Sequence, residues 1–278
     1  MPRFRITVSY DGTDFVGWQR QAAGVSIQQL LEEALAEFEG GPVTVHGAGR
    51  TDAGVHALGQ VAAFMLQRAV PPGVLVRGLN AKLPGSVRVL EAGESTAAFH
   101  PRFDARAKTY RYRIWNGEVV SPFERRYVLQ IVDRLDVDAM NAAARMLEGA
   151  HDFAAFQTFG SDVSTTIRTI TSSRVFTGST TEDTDANGGH GSQMEIVSVP
   201  SVESRPFRDL RGGALITFEI SGNGFLRHMV RAIVGTLIEV GRGRRAPESM
   251  RELLASRDRA AAGQTAPAAG LFLVRVEY

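Results

Sequence analysis

Arg3-Phe4-Arg5-Ile6-Thr7-Val8-Ser9-Tyr10 alternates polar and apolar residues without a break, which places Phe4, Ile6, Val8 and Tyr10 on one face of a half-buried strand. Working outward, Ser26 heads a helix whose apolar residues Ile27, Leu30, Leu31, Ala34, Leu35 and Phe38 recur at helical spacing until Gly40-Gly41-Pro42 stops it. A strand near 43–47 follows, then a glycine-rich loop and an apolar strand over 61–66. Pro71-Pro72 opens a helix that runs through Leu83, and a last strand begins at 87–90. The order is β-α-β-β-α-β, a ferredoxin-like unit.

The second half repeats it. A strand at 108–115, a helix at 137–147 stopped by Gly149, strands near 168–176 and 214–220, a long helix at 225–240 and a closing strand at 271–276 give the same order, with a short extra helix near 247–255. The expected fold class is therefore α+β: two ferredoxin-like (RRM-like) units, 1–105 and 106–278, joined into a wide, mostly antiparallel sheet. Helices would cover one face, and a central groove between the units would take the ligand. The stretch 178–192 (GSTTEDTDANGGHGS) has no large apolar residue, so it reads as a polar insertion, a mobile loop outside any core.

Composition narrows the function classes. With 44% hydrophobic and 22% charged residues, a chain of 278 residues can bury a real core. No apolar stretch approaches the ~20 residues needed to span a bilayer, and the N-terminus enters a strand with no basic-then-apolar leader, so a cytoplasmic protein without a membrane role is expected. The absence of Cys excludes disulfides, thiolate nucleophiles and cysteine-bound iron or zinc, and chemistry without cofactor or metal is the expectation. Net charge is only +1, yet all the basic residues except Lys82 and Lys108 are Arg, the side chain suited to bidentate phosphate contacts. They gather at 102–113 (Arg102, Arg106, Lys108, Arg111, Arg113) and at 205–245 (Arg205, Arg208, Arg211, Arg227, Arg231, Arg242, Arg244, Arg245), which suggests a local anionic partner.

Three places could carry chemistry. Gly49-Arg50-Thr51-Asp52-Ala53-Gly54-Val55-His56-Ala57 presents Asp52 in a glycine-flanked turn between two strands, with Arg50 and His56 around it. An Asp there can simply bond its own turn; on so short a connection it can also be held rigidly enough to act as a nucleophile. In the strand 108–115, Lys108, Tyr110, Tyr112 and Ile114 share one face and Thr109, Arg111, Arg113 and Trp115 the other, so Tyr110 is either a core residue or a ring in the groove. On the helix 225–240, Arg227 falls within a wide apolar arc and Arg231 at its margin; each needs an anionic partner or must extend its head to water, and helical geometry does not choose between them. Of six histidines, His56 and His100 are the ones to watch, while Asp11 and Asp14 read as turn formers.

The string from Gly49 to Ala57 resembles the signature of the tRNA pseudouridine synthase A family. The resemblance extends through Tyr10-Asp11-Gly12-Thr13-Asp14-Phe15-Val16-Gly17-Trp18-Gln19, Phe99-His100-Pro101-Arg102-Phe103, Lys108-Thr109-Tyr110-Arg111-Tyr112, Gly149-Ala150-His151-Asp152-Phe153, Asn223-Gly224-Phe225-Leu226-Arg227-His228-Met229-Val230-Arg231 and Gly270-Leu271-Phe272-Leu273. It implies isomerisation of uridine to pseudouridine at positions 38, 39 and 40 in the anticodon stem and loop of tRNA, by a homodimer that needs no cofactor. Asp52 would be the nucleophile, Tyr110 the ring that stacks on the uracil and helps move its C5 proton, and Arg231 the partner of Asp52. Arg50 would fill or hold the place that the flipped base vacates, and His56, Lys108, Arg227 and Leu271 would join Tyr110 in substrate binding. Attack at C1′, addition at C6 and a glycal route all suit a carboxylate. Two other classes compete: a non-catalytic RNA-binding platform, and a hydrolase with an Asp nucleophile. The polar stretch 178–192 is a departure, since the resemblance calls for a tight connection there.

Overall fold

The computed structural model describes residues 1–158, 164–178 and 213–278. Strand β1 (Arg3–Tyr10) buries Phe4, Ile6, Val8 and Tyr10 and leaves Arg5 in solvent, as its alternation dictates. Helix α1 (Ile27–Glu39) is capped by the Ser26 hydroxyl, which accepts from the Gln29 amide, and it ends at Gly40, whose φ of 80° returns its N–H to the Ala36 carbonyl. The unit continues with β2 (His46–Gly47), β3 (His56–Met65), α2 (Pro72–Lys82) and β4 (Val87–Ser95).

The second unit runs β5 (Ala107–Asn116), β6 (Leu129–Ile131), α3 (Val137–Arg145), β7 (Gly149–Asp152), β8 (Ile167–Thr177), β9 (Ala214–Gly222), α4 (Met229–Gly241), α5 (Ser249–Ser256) and β10 (Leu271–Glu277). All the strands among the described residues form one sheet in the order β4-β1-β3-β10-β5-β9-β8-β7, with β2 on β3 and β6 on β5. Within each unit the long strands pair antiparallel, and one hydrophobic cluster runs through both halves. This is the wide, mostly antiparallel platform expected.

The join positions the site. One edge of β3 is covered by β1; the other is shared, with β10 pairing parallel at His56 and Ala57 and β2 pairing antiparallel at Ala62 and Ala63. The connection from β2 to β3, which carries Asp52, therefore lies where the two units part. On the side of the sheet away from Tyr110 and Tyr112, Glu219 of β9 accepts from Arg111 of β5 (3.2 and 2.9 Å) and Arg174 of β8 (2.9 Å).

Several expectations shift. The strand expected over 61–66 starts at His56, because Ala57 and Gly59 obscure the apolar pattern, and the strand expected at 43–47 shrinks to two residues. The helix expected from 225 starts at Met229, so Arg227 lies on the approach to it and is exposed, and the helical arc drawn through Arg227 does not exist there. β6 and β7, at three and four residues, are too short to show a period. The polar insertion lies, past Gly178, outside the described residues, as do Arg205, Arg208 and Arg211.

Candidate active site

The loop from Ala48 to Val55 is tied down at nearly every residue. The Ala48 amide donates to the Val61 carbonyl (2.8 Å), and Lys108 Nζ donates to the Ala48 carbonyl from below (2.7 Å). Gln60 holds the Gly49 carbonyl (2.9 Å), the Trp18 amide reaches the Thr51 carbonyl (3.0 Å), and the Val55 amide closes a turn onto the Asp52 carbonyl (3.1 Å). The Thr51 hydroxyl is 2.8 Å from that of Tyr10, whose phenol burial pushes up to about 12 and so keeps neutral.

The Tyr10-to-Gln19 motif forms the wall behind this loop. Gly17 sits at φ +104°, and a Cβ there would come within 2.5 Å of the Thr51 carbonyl oxygen; one on Gly12 would strike the Val55 carbonyl. Both glycines are required by this backbone-on-backbone approach rather than by turn formation alone.

Asp52 emerges from the loop 31% exposed. Arg231, in the first turn of α4 and half-buried, donates from Nη1 to Asp52 Oδ2 (3.4 Å) and from Nε to the Ala266 carbonyl (2.7 Å), so one guanidinium links the carboxylate to the segment leading to β10. A residue that sequence reasoning missed stands beside it. His228 puts Nε2 3.4 Å from the same Oδ2, and its Nδ1 lies 3.0 Å from Thr158 Oγ1. Its only sequence signal is the three-residue spacing from Arg231, which places the two along one side of the helix start.

Tyr110 is 8% exposed and packs edge-on against Phe225, ring centres 4.9 Å apart. Burial first, then the neighbouring Tyr10 and Asp52, hold its phenol protonated well above the ordinary range. Lys108 is pulled down to about 8, by burial first and then by Arg102 and Arg168. Arg50 stands exposed beside Asp52. Leu271 opens β10, buried and paired with Tyr112.

His56 lies elsewhere. It is 1% exposed, on the side of the sheet opposite Tyr110, stacked on Phe272 and edge-on to Tyr127. Its Nδ1 takes the Gly12 amide (3.0 Å) and sits 3.1 Å from Asp11 Oδ1, while Nε2 reaches the Ala269 carbonyl (3.0 Å). Both ring nitrogens are thus occupied by the protein. Asp11 is the turn former expected, accepting from the Thr13 amide and hydroxyl, and it also takes the Tyr127 hydroxyl. His100 accepts the Arg102 and Phe103 amides and so shapes its own turn. Among the described residues, no three His, Asp or Glu side chains gather as a metal site would require.

The chain that carries this carboxylate, with its guanidinium, imidazole and buried phenol, is similar in sequence to known proteins. A family model described as tRNA pseudouridine synthase matches residues 6–104 and 143–278, segments that include Asp52, His228 and Arg231. The chain belongs to the tRNA pseudouridine synthase family. It is an enzyme of the isomerase class. Over 278 residues it is 41% identical to the tRNA pseudouridine synthase A of Geotalea uraniireducens (strain Rf4) and 43% identical to that of Solibacter usitatus (strain Ellin6076), each comparison spanning the whole of both chains. A third relative of the same name, from Myxococcus xanthus, is 41% identical and is matched over 92% of its own length by the whole of this chain. These full-length matches extend this synthase's likeness across β5, the strand that carries Tyr110.

Proposed function

We propose that the chain converts uridine to pseudouridine at positions 38, 39 and 40 of the tRNA anticodon stem and loop, as a homodimer, with Asp52 as the nucleophile. The observation that carries this reading is the carboxylate itself: a rigid loop holds it, and Arg231 and His228 each make their nearest approach to it at Oδ2, at 3.4 Å. A carboxylate steadied through one oxygen is suited to attack with the other.

The reaction breaks the N1–C1′ bond and forms a C5–C1′ bond, with C5 losing a proton and N1 gaining one. A carboxylate serves any of the three routes, and none calls for redox chemistry. Tyr110, kept protonated by its surroundings, is a stacking surface and a hydrogen-bond donor; it takes part in moving the C5 proton only by passing on its own. A uridine stacked in a stem must be flipped, at a cost of a few kcal/mol. Arg50, exposed next to the nucleophile, suits the vacated place, and the exposed Arg102 and Arg227 suit the backbone on either side. Lys108 acts through the Ala48 carbonyl as well as by its charge. His56 supports the loop from behind rather than meeting the base, and Leu271 completes the apolar floor beside Tyr112.

The test is tRNA tritiated at C5 of uracil. Asp52→Asn should bind tRNA normally and release no tritium; a variant retaining a tenth of normal turnover would show that Asp52 is not the nucleophile. Free uracil among the wild-type products would point to a hydrolase instead. Mapping the modified sites reads the three positions, and light scattering reads the dimer.

A further inference from the structure

His228 has no place in the reading drawn from sequence, yet it meets the reacting carboxylate as closely as Arg231 does, each at 3.4 Å from Oδ2. Its backbone is unusual as well. Among the described residues, only His228 and Arg257 combine a side chain with positive φ, and His228 sits at φ 60°, ψ 6° as the N-cap of α4. A left-handed conformation is costly for a non-glycine residue, and it persists only where the surroundings impose it. Here it turns the ring back over the start of the helix, between Asp52 and Thr158.

The ring's protonation can be assigned from its neighbours. Burial first, then Arg231, Arg227 and Arg259, lower the imidazole against the opposing pull of Asp52, so it is neutral at physiological pH and carries one N–H. If that hydrogen were on Nδ1, a bare Nε2 lone pair would face a carboxylate. With the hydrogen on Nε2, the ring donates toward Asp52 and Nδ1 accepts from the Thr158 hydroxyl. Electrostatics selects the second arrangement, in which Thr158 fixes the tautomer.

We propose that His228 is a positioning residue for the reaction: held by Thr158, its Nε2–H joins Arg231 on Asp52 Oδ2 and leaves Oδ1 as the attacking oxygen. Two donors from different directions fix the plane of the carboxylate, whereas Arg231 alone leaves it free to rotate about its last bond. The 3.4 Å separation closes into a hydrogen bond when the substrate fills the cleft, since catalytic hydrogen bonds are often long in the empty enzyme and tighten in the complex. This inference rests on Asp52 being the nucleophile.

The position allows structural and catalytic roles to be separated. His228→Gly removes the donor but relieves the positive φ, so the melting temperature should hold or rise while kcat falls about 10- to 100-fold, the usual worth of one hydrogen bond to a charged group. KM for tRNA should stay within about twofold, because the donor removed serves Asp52 and does not touch the RNA. His228→Gln, which keeps an N–H near the Nε2 position, should recover part of kcat. Thr158→Val should cost several-fold in the wild type and nothing in the His228→Gly background, as two residues acting in series require. Wild-type kcat in His228→Gly, a loss carried entirely by KM, or a Thr158→Val loss that persists undiminished without His228 would each overturn the proposal. Asp52→Asn measured alongside keeps the two readings apart. If it is active, the nucleophile assignment falls; if it is inactive while His228→Gly is fully active, only the positioning role falls.

Discussion

Helices α2 and α4 occupy the same place in the two β-α-β-β-α-β units, and they begin in opposite ways. α2 is entered through Pro71 at φ −57°, with a second proline at its first position, and it buries Leu75 and Leu79 while its other face stays wet. Proline pre-sets the dihedral a helix start needs and gives up an N–H that would have no partner there. α4 is entered through His228 at φ 60°, is buried along most of its length, and gives the polar groups at its start to Asp52. One start is built for economy of conformation, the other accepts strain to place two side chains. Duplication supplies the platform; the site arises where the copies stopped being alike, with the carboxylate on a loop of one unit and its donors on a helix of the other.

The sharpest way to break this comparison is to ask whether α4 contributes through position or through charge. Arg231→Lys keeps the charge but loses the planar fork that spans Asp52 and the Ala266 carbonyl, so turnover should fall by about 100-fold or more with tRNA affinity little changed. Arg227→Lys lies before the helix in solvent and should change turnover less than threefold. Single-turnover rates measure both, and the reverse ranking would move the catalytic role to Arg227.

The two arginines also show what a sequence makes legible. Alternation in β1 and β5 and the Ser26 cap of α1 are local features, and the sheet and most helices follow from them. The start of α4 is not visible in the same way, because Phe225 and Leu226 continue the helical spacing of apolar residues although the chain there is not helical. Charge clusters are legible only in part: a tRNA is the anionic partner they suggest, but not every arginine in them is open to it. Arg111 pairs with Glu219, 108 residues away, and Arg113 with Glu124, while Arg242 and Arg245 are taken by Asp133 and Glu239. Four of the arginines that suggest an anionic partner are thus engaged within the protein, and only the tertiary structure discloses it. At the site, Asp52 and Arg231 are reached through motif resemblance. His228 lies in the same motif as Arg231 yet carries no signal of its role, since its distance from Asp52 depends on how the two units meet.

A smaller effect is expected from Glu219, which belongs to the second unit as Arg231 does but lies on the opposite side of the sheet. Burial alone would raise its carboxyl, yet the bonds from Arg174 and Arg111 outweigh this and hold it below the ordinary value of 4.5. Its contribution to stability is therefore fully present above that pH and is lost as the pH falls through the lowered folded value. Glu219→Gln should cost about 1–3 kcal/mol near neutral pH, toward the lower figure because Arg174 is partly exposed. The variant should also show a shallower acid-side fall in melting temperature, since Asp11 and Asp152, likewise held low, still titrate there, while turnover stays normal. A defect in kcat at unchanged tRNA affinity would mean that the two sides of the second unit are coupled.

The smallest effect should come from the plain helix start. In the unfolded chain Pro71 restricts its own φ and disfavours helical conformations at Val70, and the folded backbone already sits at the proline value. Pro71→Ala should therefore destabilise by about 0.4–1 kcal/mol, mainly by giving the unfolded state more freedom, while the packing around Asp52 stays as it is. Turnover and tRNA affinity should match the wild type, since α2 packs chiefly on α1 and β4. The informative quantity is the contrast with His228→Gly at the equivalent helix: Pro71→Ala lowers the melting temperature and spares kcat, whereas His228→Gly spares the melting temperature and lowers kcat. Should Pro71→Ala slow the reaction as well, the first unit's helix would be part of the machinery that sets the Asp52 loop, and the division of labour between the two units would have to be redrawn.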